Sequence, residues 1–349
     1  MRAAVRGAAA APVGDADAAG ARAGVDARTK AGLRGRAARN RRGTRHSRNA
    51  AERHDTVATA DGSAAAPPWL DRTAYPFRNR WLPLPFGDIH YVDEGSGPPI
   101  LFSHGTPTWS FEWRHLIGAL SATHRCVAPD HLGFGLSDRP REAAYTPEAH
   151  AARFAQFVDA LGLDTFTLVV HDYGGPIAFP VALDDRRRVR RLVIINSWMW
   201  RLDDDPEMRR AGRIAGGRVG RFLYRRANLS LRVMTPSAYG DRRKLTRAIH
   251  GQYLAPFSDA WSRGAVLWPL ARAILGSGAY YDSLWAHRER LRDTPTLIVW
   301  GVRDPAFLPH QLQRWRTILP AARVVELDAG HWPHEELPDA VLSAVRPFV

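Results

Sequence analysis

After the first aromatic residue, Trp69, the chain alternates between two kinds of segment. One kind is strand-like and continuously apolar, and the other is helix-like. The segments between the strand-like runs carry apolar residues mostly at helical spacing. Because continuously apolar strands are buried on both faces, the pattern predicts a mostly parallel, twisted sheet with helices on both sides. The strand-like runs lie at residues 99–104, 124–130, 166–172, 189–196, 295–300 and 322–328.

Turn and capping residues refine this pattern. Phe86-Gly-Asp88 interrupts the segment 81–94, which predicts two short strands there. Thr146-Pro147 is typical of a helix start, with the threonine as N-cap and the proline at the first helical position. Another helix is predicted to begin directly after the run 166–172, at Gly174.

Residues 199–290 interrupt the alternation, since they contain no convincing strand and many Arg, Ala and Leu residues at helical spacing. They follow the sixth predicted strand. We therefore predict an α/β core formed by residues 66–198 and 291–349, with 199–290 as a helical cap. Such a cap lies over the carboxyl ends of the strands, where open α/β sheets bind their ligands.

The amino-terminal segment, residues 1–65, differs from the rest. Its first 60 residues hold 13 Lys and Arg against 5 Asp and Glu, and no aromatic residue. A segment that buries so little apolar area cannot offset its ordering entropy, so we expect a disordered Ala/Arg-rich extension. A basic tail that contacts RNA or anionic lipid is the alternative. A twin-arginine export signal is disfavoured because no apolar stretch follows the arginines.

Composition and charge narrow the class of protein. The chain is 45% hydrophobic and 24% charged, which is ordinary for a globular protein. Most of the net charge of +14 belongs to the amino-terminal segment, so we expect no nucleic-acid partner. No run approaches the roughly 20 apolar residues of a membrane helix. The single cysteine, Cys126, excludes an internal disulfide and fits a cytoplasmic protein.

The most informative segment is Val169-Val-His-Asp-Tyr-Gly-Gly175, which joins a buried strand to a helix. A sharp turn with small neighbours at this place is typical of a nucleophile elbow, and Asp172 occupies its tip. The chain has no Gly-x-Ser-x-Gly motif. A carboxylate is a poor acylating nucleophile, but it can displace a leaving group from a tetrahedral carbon. The alternative is an aspartate that only caps the next helix.

Three further loops follow predicted strands at the same sheet edge. The loop His104-Gly-Thr-Pro can offer the Thr106 N–H, which with the Tyr173 N–H would form an oxyanion hole. Asp304 follows the penultimate strand and His331 follows the last one. The order Asp172, Asp304, His331 is the nucleophile–acid–base order expected in α/β-hydrolases.

These motifs resemble those of the haloalkane dehalogenases, a group of α/β-hydrolases related to epoxide hydrolases, from about Trp69 to Val349. Tyr253-Leu-Ala-Pro-Phe257 also resembles the dehalogenase cap. The matching stretches are His104-Gly-Thr-Pro-Thr-Trp-Ser-Phe-Glu-Trp-Arg114, Asp130-His-Leu-Gly-Phe-Gly-Leu-Ser-Asp138, His171-Asp-Tyr-Gly-Gly175 and Gly330-His-Trp332.

The resemblance implies a two-step hydrolysis of a small apolar substrate. Asp172 would form an alkyl ester, and His331, oriented by Asp304, would activate the water that hydrolyses it. No cofactor, metal or membrane is implied, and we expect a monomer or weak dimer. The expected leaving-group or substrate pocket comprises Thr106, Trp109, Tyr173, Asn196, Trp198 and Trp268.

Two positions depart from the family pattern. Dehalogenases usually hold the leaving halide with a tryptophan after the nucleophile and an asparagine in the first loop, where this chain has Tyr173 and Thr106. Halide specificity is therefore open. The alternatives are an epoxide hydrolase, a β-lactone-processing relative, or a non-catalytic binding protein on the same fold. An epoxide hydrolase would need acidic phenols in the cap, for which the candidates are Tyr224, Tyr239, Tyr253, Tyr280 and Tyr281.

Overall fold

The computed structural model describes residues 66–349 as an eight-stranded sheet with helices packed on it. The extension expected at residues 1–65 lies outside the described residues. The strands are β1 (Arg80–Leu84), β2 (Gly87–Glu94), β3 (Pro99–Ser103), β4 (Arg125–Pro129), β5 (Phe166–Asp172), β6 (Val189–Ser197), β7 (Thr296–Gly301) and β8 (Arg323–Leu327).

The spatial order of the strands is β1-β2-β4-β3-β5-β6-β7-β8. Strand β2 pairs antiparallel with β1 and β4, and all other neighbours pair parallel. All residues of β5 and β7 are buried, because helices cover both faces of the sheet. This arrangement confirms the predicted α/β-hydrolase fold. The two strands around Phe86-Gly-Asp88 are also confirmed.

The core helices pack against this sheet. Thr146 caps α2 as predicted, since its hydroxyl accepts a hydrogen bond from the Ala149 N–H, and Pro147 is the first helical residue. The core helices are α1 (Arg114–Leu120), α2 (Pro147–Ala160) and α3 (Gly174–Asp184), and, after the cap, α11 (Pro309–Ile318), α12 (Pro333–Glu336) and α13 (Pro338–Val345).

A helical cap follows β6, the sixth strand, and ends before β7, as the sequence predicts. Its exact limits, residues 199 and 290, stay predictions. None of the helices in residues 66–349 is long and apolar enough to cross a membrane. The cap helices are α4 (Pro206–Gly216), α5 (Arg218–Ala227), α6 (Thr235–Ala238), α7 (Arg247–Leu254), α8 (Ala260–Ser262), α9 (Trp268–Gly276) and α10 (Gly278–Ala286).

Candidate active site

Asp172 lies at the turn between β5 and α3 in a strained backbone conformation. Its φ angle is +48°, in the left-handed region that non-glycine residues rarely adopt. Such a conformation costs on the order of 1–3 kcal/mol and persists only where the surroundings enforce it. A strained residue at the end of a buried strand is the geometry of a nucleophile elbow.

Glycines allow the backbone around Asp172 to come this close together. A Cβ atom on Gly105 would lie 2.4 Å from the Asp172 Cβ, and one on Gly174 would lie 1.9 Å from the Ser103 carbonyl oxygen. Neither position admits a side chain. The two glycines therefore let the first loop and the start of α3 close around the carboxylate.

Two backbone N–H groups point at the Asp172 carboxylate. The Thr106 N–H donates to Oδ1 at 2.9 Å, and the Tyr173 N–H is close enough to the carboxylate to lower its pKa. Both donors belong to the loops from which the sequence predicts an oxyanion hole. Because they are fixed by the fold, they can stabilise negative charge without reorganising.

A histidine and a second carboxylate complete the cluster. His331 Nδ1 lies 2.7 Å from Asp304 Oδ2, and His331 Nε2 lies 3.6 Å from Asp172 Oδ2. Asp304 also accepts hydrogen bonds from the Ala306 N–H and the Asn196 side-chain amide, both at 2.7 Å. The structure thus brings Asp172, Asp304 and His331 together as the sequence predicts.

The electrostatics of the cluster follow from burial and from the pairing. Burial raises the pKa of Asp172, and His331 and the backbone donors partly offset this. Burial alone would lower the pKa of His331, but Asp304 and then Asp172 outweigh it and raise that pKa to about 9. Burial would also raise the pKa of Asp304, yet its contact with His331 holds it below the usual range. An ionised Asp304 beside a protonated His331 is therefore the resting arrangement near neutral pH.

Three of the expected pocket residues use their polar groups inside the fold. The Trp109 indole N–H donates to the Gln252 carbonyl at 3.0 Å. The Tyr173 hydroxyl donates to the Leu270 carbonyl in α9 at 2.6 Å. The Asn196 amide bonds Asp304, and its oxygen accepts from the Gly301 N–H at 2.8 Å. These contacts favour positioning and packing roles over direct contact with a substrate.

The two expected pocket tryptophans Trp198 and Trp268 have different surroundings. Trp198 is buried, its ring lies 4.7 Å from the Tyr173 ring, and its indole N–H has no partner among the described residues. Trp268 is half-buried, its indole N–H likewise has no partner among the described residues, and its ring lies under the guanidinium groups of Arg221 and Arg272. Both tryptophans therefore have a free donor, and Trp198 is the one whose ring packs against the elbow residue Tyr173.

Two supporting residues were not identified from the sequence. The Ser197 hydroxyl donates to the Asp172 carbonyl at 2.7 Å, and His171 Nε2 donates to the His331 carbonyl at 2.9 Å. In the sequence, only their positions point to the site. Ser197 ends β6 beside the elbow, and His171 directly precedes Asp172. Position indicates proximity but not which atoms meet.

Comparison with known proteins agrees with this architecture. A family model described as the alpha/beta hydrolase fold matches residues 98–338. Haloalkane dehalogenase 2 of Mycobacterium tuberculosis is 38% identical over 278 residues, covering 79% of this chain and 96% of that protein. A cis-3-alkyl-4-alkyloxetan-2-one decarboxylase of Shewanella oneidensis is 33% identical over 287 residues, covering 79% and 90%.

Solved structures show the same similarity. The haloalkane dehalogenase DatA from Agrobacterium tumefaciens C58 superposes with a TM-score of 0.69 at 25% identity, over 77% of this chain and 95% of that one. The chain belongs to the α/β-hydrolase fold family and is a haloalkane dehalogenase-like enzyme.

Proposed function

We propose that the enzyme forms and then hydrolyses an ester between Asp172 and an alkyl group of a small apolar substrate. The observation that carries this proposal is the placement of a carboxylate at the elbow, with Oδ1 bound by the Thr106 N–H and Oδ2 facing His331. In the first step an Asp172 oxygen bonds to the tetrahedral carbon. The carbon–leaving-group bond breaks, and its electron pair departs with the leaving group.

In the second step water hydrolyses the ester. His331 Nε2 takes a proton from the water as its oxygen attacks the Asp172 carboxyl carbon. The Thr106 and Tyr173 N–H groups stabilise the oxyanion that forms. When the ester C–O bond breaks, the proton on His331 goes to the departing alkoxide. The second water proton, left on the Asp172 carboxyl, then passes to His331, which regenerates Asp172 as a carboxylate.

The pKa of His331 suits this order of events. In the free enzyme two carboxylates, Asp304 and Asp172, raise that pKa to about 9. Esterification removes the negative charge of Asp172, so the pKa of His331 falls and the ring can lose its proton to become a base. The base therefore becomes available once the intermediate exists. Asp304, itself held by the Asn196 amide, keeps the ring in position throughout.

The leaving group is held differently from the usual dehalogenase arrangement in this proposal. The Tyr173 hydroxyl proton is directed at Leu270, so it is not free for a halide. The unpartnered indole N–H of Trp198, beside Tyr173, is the donor we assign to the departing anion. A single side-chain donor favours bromide and iodide, which need less stabilisation, over chloride.

A β-lactone is the second candidate substrate. It is favoured by two relatives, 33% and 34% identical, that are cis-3-alkyl-4-alkyloxetan-2-one decarboxylases. Attack of Asp172 on the tetrahedral carbon of such a ring would break a strained C–O bond and leave a carboxylate on the same molecule. No second protein group would then be needed to carry the leaving group away.

Epoxide opening is less compatible with the cap. Of the tyrosines proposed as acids, Tyr253 donates to Glu335, Tyr280 to the Pro176 carbonyl and Tyr281 toward Tyr173. These three protons are directed at other protein groups and would have to leave them to protonate an epoxide oxygen. Tyr224 donates only to the Met234 sulfur at 3.6 Å, and the Tyr239 hydroxyl has no partner among the described residues, so epoxide opening ranks third.

A trapping experiment tests the proposal. His331→Gln should allow the first step and block the second, so addition of a 1-bromoalkane should make the protein heavier by the alkyl group. Peptide mapping should place that mass on Asp172. His310→Gln, which changes an exposed histidine paired with Asp205, is the matched control and should turn over without accumulating an adduct.

A panel of a 1-bromoalkane, a 1-chloroalkane, a terminal epoxide and a cis-disubstituted β-lactone would identify the leaving group. Adduct formation or turnover with one class and not the others assigns it. Steady turnover by unmodified His331→Gln, with no adduct from any of these substrates, would contradict the two-step mechanism.

A further inference from the structure

A second cluster of chemically active side chains lies behind the candidate active site. It consists of Glu112, in the turn after β3, His171, in β5, and His334, in α12, and all three are fully buried. One ligand atom from each lies within 4.8 Å of the others. The proposed hydrolysis uses none of the three as an acid, base or nucleophile.

The hydrogen bonds around the cluster orient its lone pairs inward. The His331 carbonyl can only accept, so His171 Nε2, at 2.9 Å, carries a proton. In the neutral ring His171 Nδ1 therefore has a lone pair, and it faces Glu112 Oε1 at 3.3 Å. The Thr108 hydroxyl donates to the other carboxylate oxygen of Glu112. Metal-binding histidines and carboxylates are typically oriented by outer hydrogen bonds of this kind.

His334 provides an independent observation. Its side chain is fully buried between Trp113 and His171, with ring centroids 4.8 and 4.7 Å away, and neither ring nitrogen has a partner among the described residues. Its Nε2 lies 4.0 Å from Glu112 Oε2, too far for a hydrogen bond. A buried ring nitrogen without a hydrogen-bond partner costs free energy. A ligand that binds the His334 nitrogen would remove this cost.

We propose that Glu112, His171 and His334 bind one divalent transition-metal ion of the zinc class. Two imidazole nitrogens and one carboxylate oxygen are a donor set that Zn²⁺ takes in proteins. Ligand atoms around a tetrahedral zinc ion lie about 3.4 Å apart, given bonds near 2.1 Å. The distances of 3.3 Å from Glu112 Oε1 to His171 Nδ1 and 4.0 Å from Glu112 Oε2 to His334 Nε2 approach this value, and the three ligand atoms all lie within 4.8 Å of one another.

The ion would stabilise the position of the loop that carries His331. His171 holds the backbone carbonyl of His331, and so fixing His171 fixes the loop that carries the candidate base. The competing occupant is a proton, which would make His171 an imidazolium paired with Glu112. In that arrangement His171 and Glu112 have each other as hydrogen-bond partners, but the ring nitrogens of His334 have none.

The test is the metal content of the full, untagged chain as isolated. After dialysis we expect about one equivalent of a divalent transition metal per chain by elemental analysis. His334→Gln and Glu112→Gln should each reduce it at least about tenfold, as loss of one of three ligands does. The matched control is His310→Gln, which removes an exposed histidine–carboxylate pair and should leave the content unchanged.

Two measurements on the unsubstituted chain keep the proposal testable if the variants do not fold. A chelator should lower the melting temperature, and added Zn²⁺ should restore it. Co²⁺ added to the chelator-treated protein should give visible absorption bands typical of nitrogen and oxygen ligands. Metal-free protein as isolated, together with no response to Zn²⁺ or Co²⁺, would overturn the proposal. Loss of the metal in His310→Gln would overturn it as well.

Discussion

The strand ends and the cap of this enzyme differ in how their side chains are specified. Asp172, Asp304 and His331 each stand at a strand end or in the loop that follows it, and parallel strands bring those loops to one edge. Trp198 follows β6 where the cap begins, and Trp268 starts α9. The two look alike in the sequence, yet one packs against Tyr173 and the other lies under two arginines. Chemistry at strand ends follows from topology, whereas chemistry in the cap depends on helix packing.

The largest expected effect belongs to the strand ends. Asp172→Asn replaces the nucleophilic oxygen by an amide of nearly the same shape, so turnover should fall by about four orders of magnitude or more. The melting temperature should stay within a few degrees of the parent. Steady-state kinetics and thermal unfolding measure the two quantities. Activity at the parental level, with mass spectrometry excluding deamidation to Asp, would remove Asp172 from the mechanism.

A smaller effect should separate the two pocket tryptophans. Trp198→Phe removes the unpartnered indole N–H beside Tyr173, and a hydrogen bond to a departing anion contributes roughly 1.5–3 kcal/mol. Bromide release should therefore slow by about one to two orders of magnitude. Trp268→Phe is the matched control and should change this rate little. Equal rates for both variants would show that another group holds the leaving anion.

The smallest effect is a pH dependence of stability. The folded-state pKa of His331 is about 9, above its usual value of 6.5, so its protonation stabilises the fold below pH 6.5. This contribution is lost as the pH rises from about 6.5 to about 9. Denaturant unfolding should show the parent exceeding His331→Gln by on the order of 1–3 kcal/mol more at pH 6 than at pH 9.5. A difference independent of pH would mean that the histidine is not held protonated in the fold.

The sequence was sufficient for the sheet, for a helical insertion after β6 and for the proximity of Asp172, Asp304 and His331, because hydrophobic period and loop position determine these features. It was not sufficient for the polar contacts of single side chains. The Tyr173 hydroxyl meets Leu270, 97 positions away, and His171 meets the His331 carbonyl, 160 positions away. Contacts of this range depend on how α9 and α12 pack, and no local spacing encodes that packing. The unpartnered nitrogens of His334 are visible only in three dimensions for the same reason.

The central claim, that Asp172 attacks carbon, is tested most directly by a single turnover in ¹⁸O-labelled water. Enzyme in excess over a 1-bromoalkane should give an alcohol whose oxygen is unlabelled, because that oxygen comes from Asp172. The enzyme should then be heavier by about 2 Da, with the label in the peptide that contains Asp172. Label appearing directly in the first-turnover alcohol, with none in the protein, would show that water attacks the substrate and would contradict the account.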